Sequence, residues 1–286
     1  MFNTLSRSWS LVKASFRVLR SDPELMVLPF ISMLGVMLVS IVFFVPAYFT
    51  GLLDDVGGDH LSGQNMLAYA VLFLYYLVMY TIIIFSNVAL VGAAMMRLRG
   101  GDPTVRDGLR IAMQHLPQIL GYAAISATVG LVLKAIRDES GIVGKIVALV
   151  VNVAWNLVTF LVIPVLVVEN VGPIEGIKRS TALLRKTWGE QVVANGGVGL
   201  VLGLITFAVI VVIGLPLFFL AAASTSTALM LIVVAIIVLL VMAISLFGSA
   251  LSGVFQAALY NYASTGTAGQ GFDEHLVRDA FGPKKR

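Results

Sequence analysis

The sequence predicts an all-α, polytopic transmembrane helix bundle of six spans. It also predicts three cytoplasmic-side amphipathic interfacial helices, arranged in a threefold parallel repeat. Three observations carry this reading. The first is composition: of 286 residues, 59% are hydrophobic and only 12% are charged, against roughly 25% charged in a soluble domain. The mean hydropathy of +0.97 agrees. The second is the length of the apolar runs. A helical span needs about 20 apolar residues and a membrane strand only about 10; these runs exceed the helical requirement, which excludes a barrel. The third is a basic stretch of helical period before the first, third and fifth runs.

In chain order the spans are expected at 25–49, 66–96, 117–137, 144–168, 191–223 and 227–262. The second and last are long enough to tilt or protrude from a hydrocarbon core about 30 Å thick. Pro29, Pro46, Pro164 and Pro216 fall in or near spans, where neighbouring helices re-satisfy the carbonyls that proline frees. No loop is long enough for a soluble domain. The apolar stretch after residue 20 is too long for the core of a signal peptide and is not followed by a small-residue cleavage site.

Lysine and arginine sort by loop. One side holds Arg7, Lys13, Arg17 and Arg20; Arg97, Arg99, Arg106 and Arg110; Lys178, Arg179, Arg185 and Lys186; and Arg278, Lys284, Lys285 and Arg286. Only Lys134, Arg137 and Lys145 fall on the other. The positive-inside rule then places both termini in the cytoplasm. The expected location is a cytoplasmic (inner) membrane. The net charge of +4 reads as membrane topology, not as nucleic-acid binding.

The three basic stretches carry apolar residues in alternating three- and four-residue steps. The first has Leu5, Trp9, Val12, Phe16 and Leu19. The second has Val105, Leu109, Ala112 and Leu116. The third has Ile174, Ile177, Thr181, Leu184 and Trp188. This spacing gives each helix one apolar stripe, the pattern of a helix lying in the interface plane. Arg7, Lys13, Arg17, Arg106, Arg110, Lys178, Arg179, Arg185 and Lys186 are the expected contacts to anionic headgroups, each worth about 1 kcal/mol. Two spans follow each such helix, so the units 1–98, 101–168 and 171–262 are expected to be parallel repeats within a single membrane domain. The tail 263–286 adds a short cytoplasmic helix, with Asp273 as N-cap and Phe272 stapled to Val277.

No charge lies deep in a span, which argues against a proton- or sodium-coupled carboxylate. Uncharged polar residues instead share faces at helical spacing. They are Tyr76, Tyr80 and Asn87; His115, Tyr122 and Ser126; Asn152, Asn156 and Thr159; Asn195 and Thr206; and Ser245, Ser249, Ser252 and Gln256. Two readings follow: interhelical hydrogen bonds, or a polar cavity for a neutral solute or lipid. Gly199 with Gly203, and Ser249 with Gly253, are pairs of small residues suited to close helix contact. Cysteine is absent, which removes disulfides and thiolate metal sites. The three histidines fall in separate loops, the acidic stretch 54–60 lacks the ligand spacing of a calcium loop, and Gly196-Gly197 follows no strand. No cofactor or metal is expected.

Two stretches carry a likeness to known proteins. One is Gly172-Pro173-Ile174-Glu175-Gly176-Ile177-Lys178-Arg179-Ser180, continuing to Trp188-Gly189. The other is Phe255-Gln256-Ala257-Ala258-Leu259-Tyr260-Asn261-Tyr262-Ala263, followed by Gly271-Phe272-Asp273. Together they resemble an uncharacterised family of prokaryotic six-span membrane proteins, over most of the chain. More loosely, the layout looks like YciC-type proteins and the membrane domain of some glycerophosphodiester phosphodiesterases. The resemblance implies a membrane bundle and no established activity, since the phosphodiesterase barrel is missing. The expectation is a non-catalytic membrane-organising or accessory protein, with anionic lipids and a homo-oligomer or membrane-complex partner. The alternative is a permease- or channel-like protein.

Overall fold

The structure, a computed structural model, describes residues 2–50, 63–139, 141–188, 198–224, 226–273, 275 and 277. Its elements are α1 (Phe2–Ser21), a 3-10 turn (Pro23–Met26), α2 (Val27–Phe49), α3 (Gly63–Leu98), α4 (Val105–Gln114), α5 (Leu116–Glu139), α6 (Gly141–Val158), α7 (Val162–Glu169) and α8 (Pro173–Trp188). There follow α9 (Val198–Val209), a π turn (Ile210–Gly214), α10 (Leu215–Ala223) and α11 (Thr227–Thr265). No strand occurs among the described residues.

Six helical segments are long and apolar enough to cross a membrane. They are Pro23–Phe49, Tyr69–Leu98, Leu116–Arg137, Gly141–Glu169, Leu202–Ala223 and Thr227–Thr265. The protein is a multi-pass membrane protein. The observed segments match the expected spans, except that the start of the fifth, with Asn195, lies outside the described residues. Contacts divide the chain into two units, one of residues 27–93 and 103–187 and the other of residues 1–26, 94–102 and 188–286.

The first unit contains four spans. Gly35 lets α2 approach α3: a Cβ there would stand 3.0 Å from Ile82 Cγ2. Further along, Tyr75 of α3 meets Phe43 and Phe44 of α2, with ring centroids at 5.7 and 4.9 Å, and its hydroxyl hydrogen-bonds Ser40 at 3.2 Å. α4 turns back onto the end of α3. A Cβ at Gly108 would stand 2.8 Å from the Ala89 carbonyl oxygen, and one at Gly92 would stand 2.8 Å from Ile111 Cγ2. Thr104 starts α4 through a capping box with Asp107. α5 then packs along α6.

The fourth span is two helices, not one. α6 ends at Val158 and α7 begins at Val162. Pro164 explains the break. A proline inside a helix removes one hydrogen bond and its ring clashes with the carbonyl four residues back. Restarting the helix at Val162 moves Pro164 into a first turn, where amide donors have no intrahelical partner anyway.

The second unit contains the last two spans, and α1 packs against α9 and α11. Pro216 acts here as Pro164 does in the other unit, with a milder outcome. Ahead of it the helix widens into a π turn, and the Leu215 amide donates five residues back to the Ile210 carbonyl. α11 has 39 residues and is about 58 Å long at 1.5 Å per residue, well beyond one hydrocarbon core. Its second half carries the core, with Val254, Phe255, Ala257, Ala258, Leu259 and Tyr260 almost wholly buried. Gly266, at φ 82°, ends the helix in the left-handed region that glycine adopts without strain.

The apolar stripes expected on the basic helices coincide with the buried faces only in part. On α1, Val12 and Leu19 are buried with Leu11, Ala14, Ser15 and Val18, but Trp9 and Phe16 are 46% and 47% exposed. On α8 the buried face is Gly176, Ser180, Leu183 and Leu184, while Ile174 is exposed. On α4 it centres on Gly108 and Ala112. On α4 and α8 small residues sit at the close contacts, where they let backbones approach. A stripe defined by hydrophobicity gives them no weight.

Candidate functional site

The polar residues expected to line a face are brought together only in part. Tyr76 and Tyr80 of α3 stack at 6.2 Å between ring centroids. Gly130 of α5 lies against Tyr80, where a Cβ would stand 3.4 Å from its hydroxyl. The neighbouring Tyr122 hydroxyl on α5 comes close to Ser126 and to Thr159, just past the end of α6. Thr159 donates its own proton to the Trp155 carbonyl at 2.7 Å. Tyr76, Tyr80, Tyr122, Ser126 and Thr159 thus form one hydroxyl cluster across three helices.

The amides stand apart from it. Asn152 and Asn156 are exposed on α6, although helical spacing puts them near the direction of buried Thr159. Asn87 is half-buried on α3. Ser249 and Gln256 are half-buried on α11, in the other unit. Asn195 lies outside the described residues. His115 sits at the α4–α5 junction with Nδ1 2.8 Å from the Ile111 carbonyl.

A second polar centre lies at the broken fourth span. The Ser180 side chain, wholly buried on α8, donates to the Val158 carbonyl at 2.7 Å. It accepts from the Leu161 amide at 3.1 Å. One hydroxyl therefore satisfies both a backbone acceptor and a backbone donor at the break. Gly176, one turn before, permits the approach, since a Cβ there would stand 3.0 Å from Leu166 Cδ2. Further contacts fix the α7–α8 corner. Asn170 ends α7 in the left-handed region at φ 50° and accepts from Gln118 at 3.0 Å. Arg179 donates to both Glu169 oxygens at 3.2 and 3.1 Å. This explains much of the first recognised motif, Gly172 to Ser180. Its signal was visible as a small-xxx-small pair, Gly176 and Ser180, that follows a span containing proline.

A third polar centre belongs to the other unit. Asp22, buried just before the first span, lies 2.8 Å from Arg97 Nε. Arg97 also donates to the Gly101 carbonyl at 3.2 Å and to Asp102 at 3.4 Å. Burial raises the Asp22 carboxyl above its ordinary range, and the Arg97 charge opposes that rise without cancelling it. The chain after α11 docks on the same end of α3: the Gln270 amide donates to the Leu98 carbonyl at 2.9 Å, and the Asn261 side chain holds the Thr267 carbonyl at 3.0 Å. Asn261 thereby gives the second recognised motif a structural role. In the tail, the His275 amide donates to Asp273 at 2.8 Å, as an N-cap requires, and Phe272 and Val277 are buried.

The expected headgroup contacts divide by pairing. Arg110 lies 3.3 Å from Asp107, Lys178 3.8 Å from Glu175 and Arg179 3.1 Å from Glu169. Lys13, Arg17, Arg106, Arg185 and Lys186 are exposed; nothing is described of the Arg7 side chain.

No curated protein matches the chain. Residues 66–272, well over half of the chain, match a family of unknown function, DUF6159. That stretch runs from the second span through both recognised motifs, and the protein belongs to this family of unknown function.

Proposed function

We propose that the protein is a non-catalytic protein of the cytoplasmic (inner) membrane that organises the bilayer or supports a membrane complex. Both termini are cytoplasmic in this reading, and α1, α4 and α8 lie along the cytoplasmic leaflet against anionic headgroups. Three parallel units of one surface helix and two spans account for the order of elements. The exposed apolar residues beside cations on α1 and α8 support the interfacial placement, because such a helix rests its apolar side at the headgroup boundary.

One observation carries the accessory role. Asn152 and Asn156 stand one turn apart on the exposed side of α6, amid exposed Leu149, Val150 and Val153. An amide turned toward hydrocarbon has no water to bond, and amides recur where one membrane helix meets another. The face therefore suits a partner helix, either from a second copy or from another membrane protein. The convergent hydroxyls, by contrast, lie in the interior of the unit, with Tyr122, Ser126 and Thr159 buried.

The chain contains no cysteine, so single cysteines report cleanly. Asn152→Cys is expected to crosslink in native membranes to a second copy or to one partner, and Asn152→Leu with Asn156→Leu is expected to abolish that assembly. An unchanged assembly state with a more stable double variant would mean that the face meets lipid. Thr104→Cys tests the topology: an impermeant maleimide should label it only after the membrane is opened.

A further inference from the structure

The three basic helices hold their charge differently. α4 pairs Arg110 with Asp107. α8 pairs Lys178 with Glu175 and Arg179 with Glu169 and leaves Arg185 and Lys186 exposed. On α1, Lys13, Arg17 and Arg20 mark three successive turns and all are exposed. Among the described residues, no acidic side chain forms an ion pair with them. Asp22, the nearest acid in sequence, contacts Arg97.

The same side of α1 exposes its two large aromatic residues, Trp9 and Phe16. At about 100° per residue, Phe16, Trp9, Arg20, Lys13 and Arg17 fall in that order within an arc of about 100°. The opposite side holds buried Leu11, Ala14, Ser15 and Val18 and is packed on α9 and α11. The face is therefore fixed, cationic and aromatic at once. The Lys13 ammonium lies 5.9 Å from the Trp9 ring centroid, within cation–π range, which holds the two as a pair.

We infer that this face of α1, through Lys13, Arg17 and Arg20 flanked by Trp9 and Phe16, is a binding surface for anionic phospholipid headgroups. The inference rests on the cytoplasmic-leaflet placement proposed above. Its chemistry is that of a phosphate diester. Guanidinium groups bond its oxygens in a fork, ammonium meets it as a point charge, and aromatic rings settle at headgroup depth. A zwitterionic leaflet satisfies the rings and offers the same phosphates, but each is already neutralised by its own choline, so only anionic lipid supplies net charge to the three cations. Selectivity for anionic lipid comes from this charge mismatch.

The experiment uses Trp9 as its reporter. The full chain with Trp155→Phe and Trp188→Phe keeps only Trp9. It is reconstituted into vesicles of phosphatidylcholine and phosphatidylglycerol, brominated in one lipid or the other at equal total composition. Trp9 should be quenched more by brominated phosphatidylglycerol, to the extent of a local enrichment of about fivefold or more, which one cation at an anionic surface already supplies. Salt should weaken the preference. Lys13→Gln with Arg17→Gln and Arg20→Gln should abolish it, while Arg110→Gln with Lys178→Gln should leave it intact. Equal quenching by both lipids would overturn this inference alone. No quenching by either would also overturn the interfacial placement. As a check free of tryptophan variants, the triple glutamine variant should retain less phosphatidylglycerol through detergent purification; equal retention would count against the site.

Discussion

Two corners of the same unit do the same job with different residues. At α3–α4 and at α7–α8, a span ends, the chain turns, and a short basic helix packs back by a pair of small residues one turn apart. The pair is Gly108 and Ala112 in the first and Gly176 and Ser180 in the second, and an acidic residue, Asp107 or Glu175, precedes each glycine. The difference lies in the host. α3 is an unbroken helix where Gly108 meets it at Ala89, so its backbone groups are bonded internally, and the residue one turn on from Gly108 is a wholly buried alanine. The fourth span is broken at residues 159–161, so a donor and an acceptor are freed and residue 180 has to be a hydroxyl. The side chain on the docking helix thus follows from the integrity of the helix it meets.

Substitutions at the two corners sharpen this comparison. Ser180→Ala should have the largest effect. It strands the Leu161 amide and the Val158 carbonyl, and a buried unpaired group costs about 1–3 kcal/mol, so a loss of about 3 kcal/mol or more is expected in reversible unfolding in mixed micelles. Gly108→Ala comes next, at about 1–3 kcal/mol, because the new methyl meets the Ala89 carbonyl oxygen, which is backbone and cannot yield. Gly176→Ala should cost less than Gly108→Ala, since its methyl meets the end of a leucine side chain. If the order is reversed, the corners differ in some way other than backbone approach.

Thr104→Ala should cost about 1 kcal/mol, the usual worth of an N-cap, and should also change the pH dependence. The Thr104 hydroxyl and amide hold the Asp107 carboxyl below its ordinary range. A carboxyl lowered in the folded state stabilises it at and above the ordinary range, and that stability fades as pH falls through the lowered value. The wild-type protein should therefore lose more stability than Thr104→Ala between neutral and strongly acidic pH, as melting curves would record. Ala112→Ser should do least, at below about 1 kcal/mol: the site is wholly buried and α3 offers no stranded group, but a helical serine hydroxyl bonds the carbonyl one turn back on its own helix.

The spans were legible in the sequence because apolar length alone specifies them. The two corners were legible only in outline. Pro164 reads as a kink, and the outcome depends on whether a neighbour supplies a hydroxyl at the freed groups, which span length does not encode. Helical phase put Tyr76 with Tyr80 and Tyr122 with Ser126, each pair on its own helix, but phase does not encode which helices meet. Phase failed for Asn152 and Asn156, since it gives direction and not depth along the helix. Thr159 lies where α6 meets the Tyr122 hydroxyl, and the two asparagines, one and two turns earlier, are exposed. The basic helices were found by charge and period, but their buried faces were displaced toward glycine, alanine and serine.

Hydrogen–deuterium exchange at the Leu161 amide tests the central claim most directly. In the wild-type protein this amide donates to Ser180, so it should exchange slowly. In Ser180→Ala it should exchange faster by at least the factor of about 10 that 1.4 kcal/mol represents, while the amides of α3 around Ala89, where Gly108 docks, stay unchanged. Equal protection of Leu161 in both proteins would contradict the role assigned to Ser180.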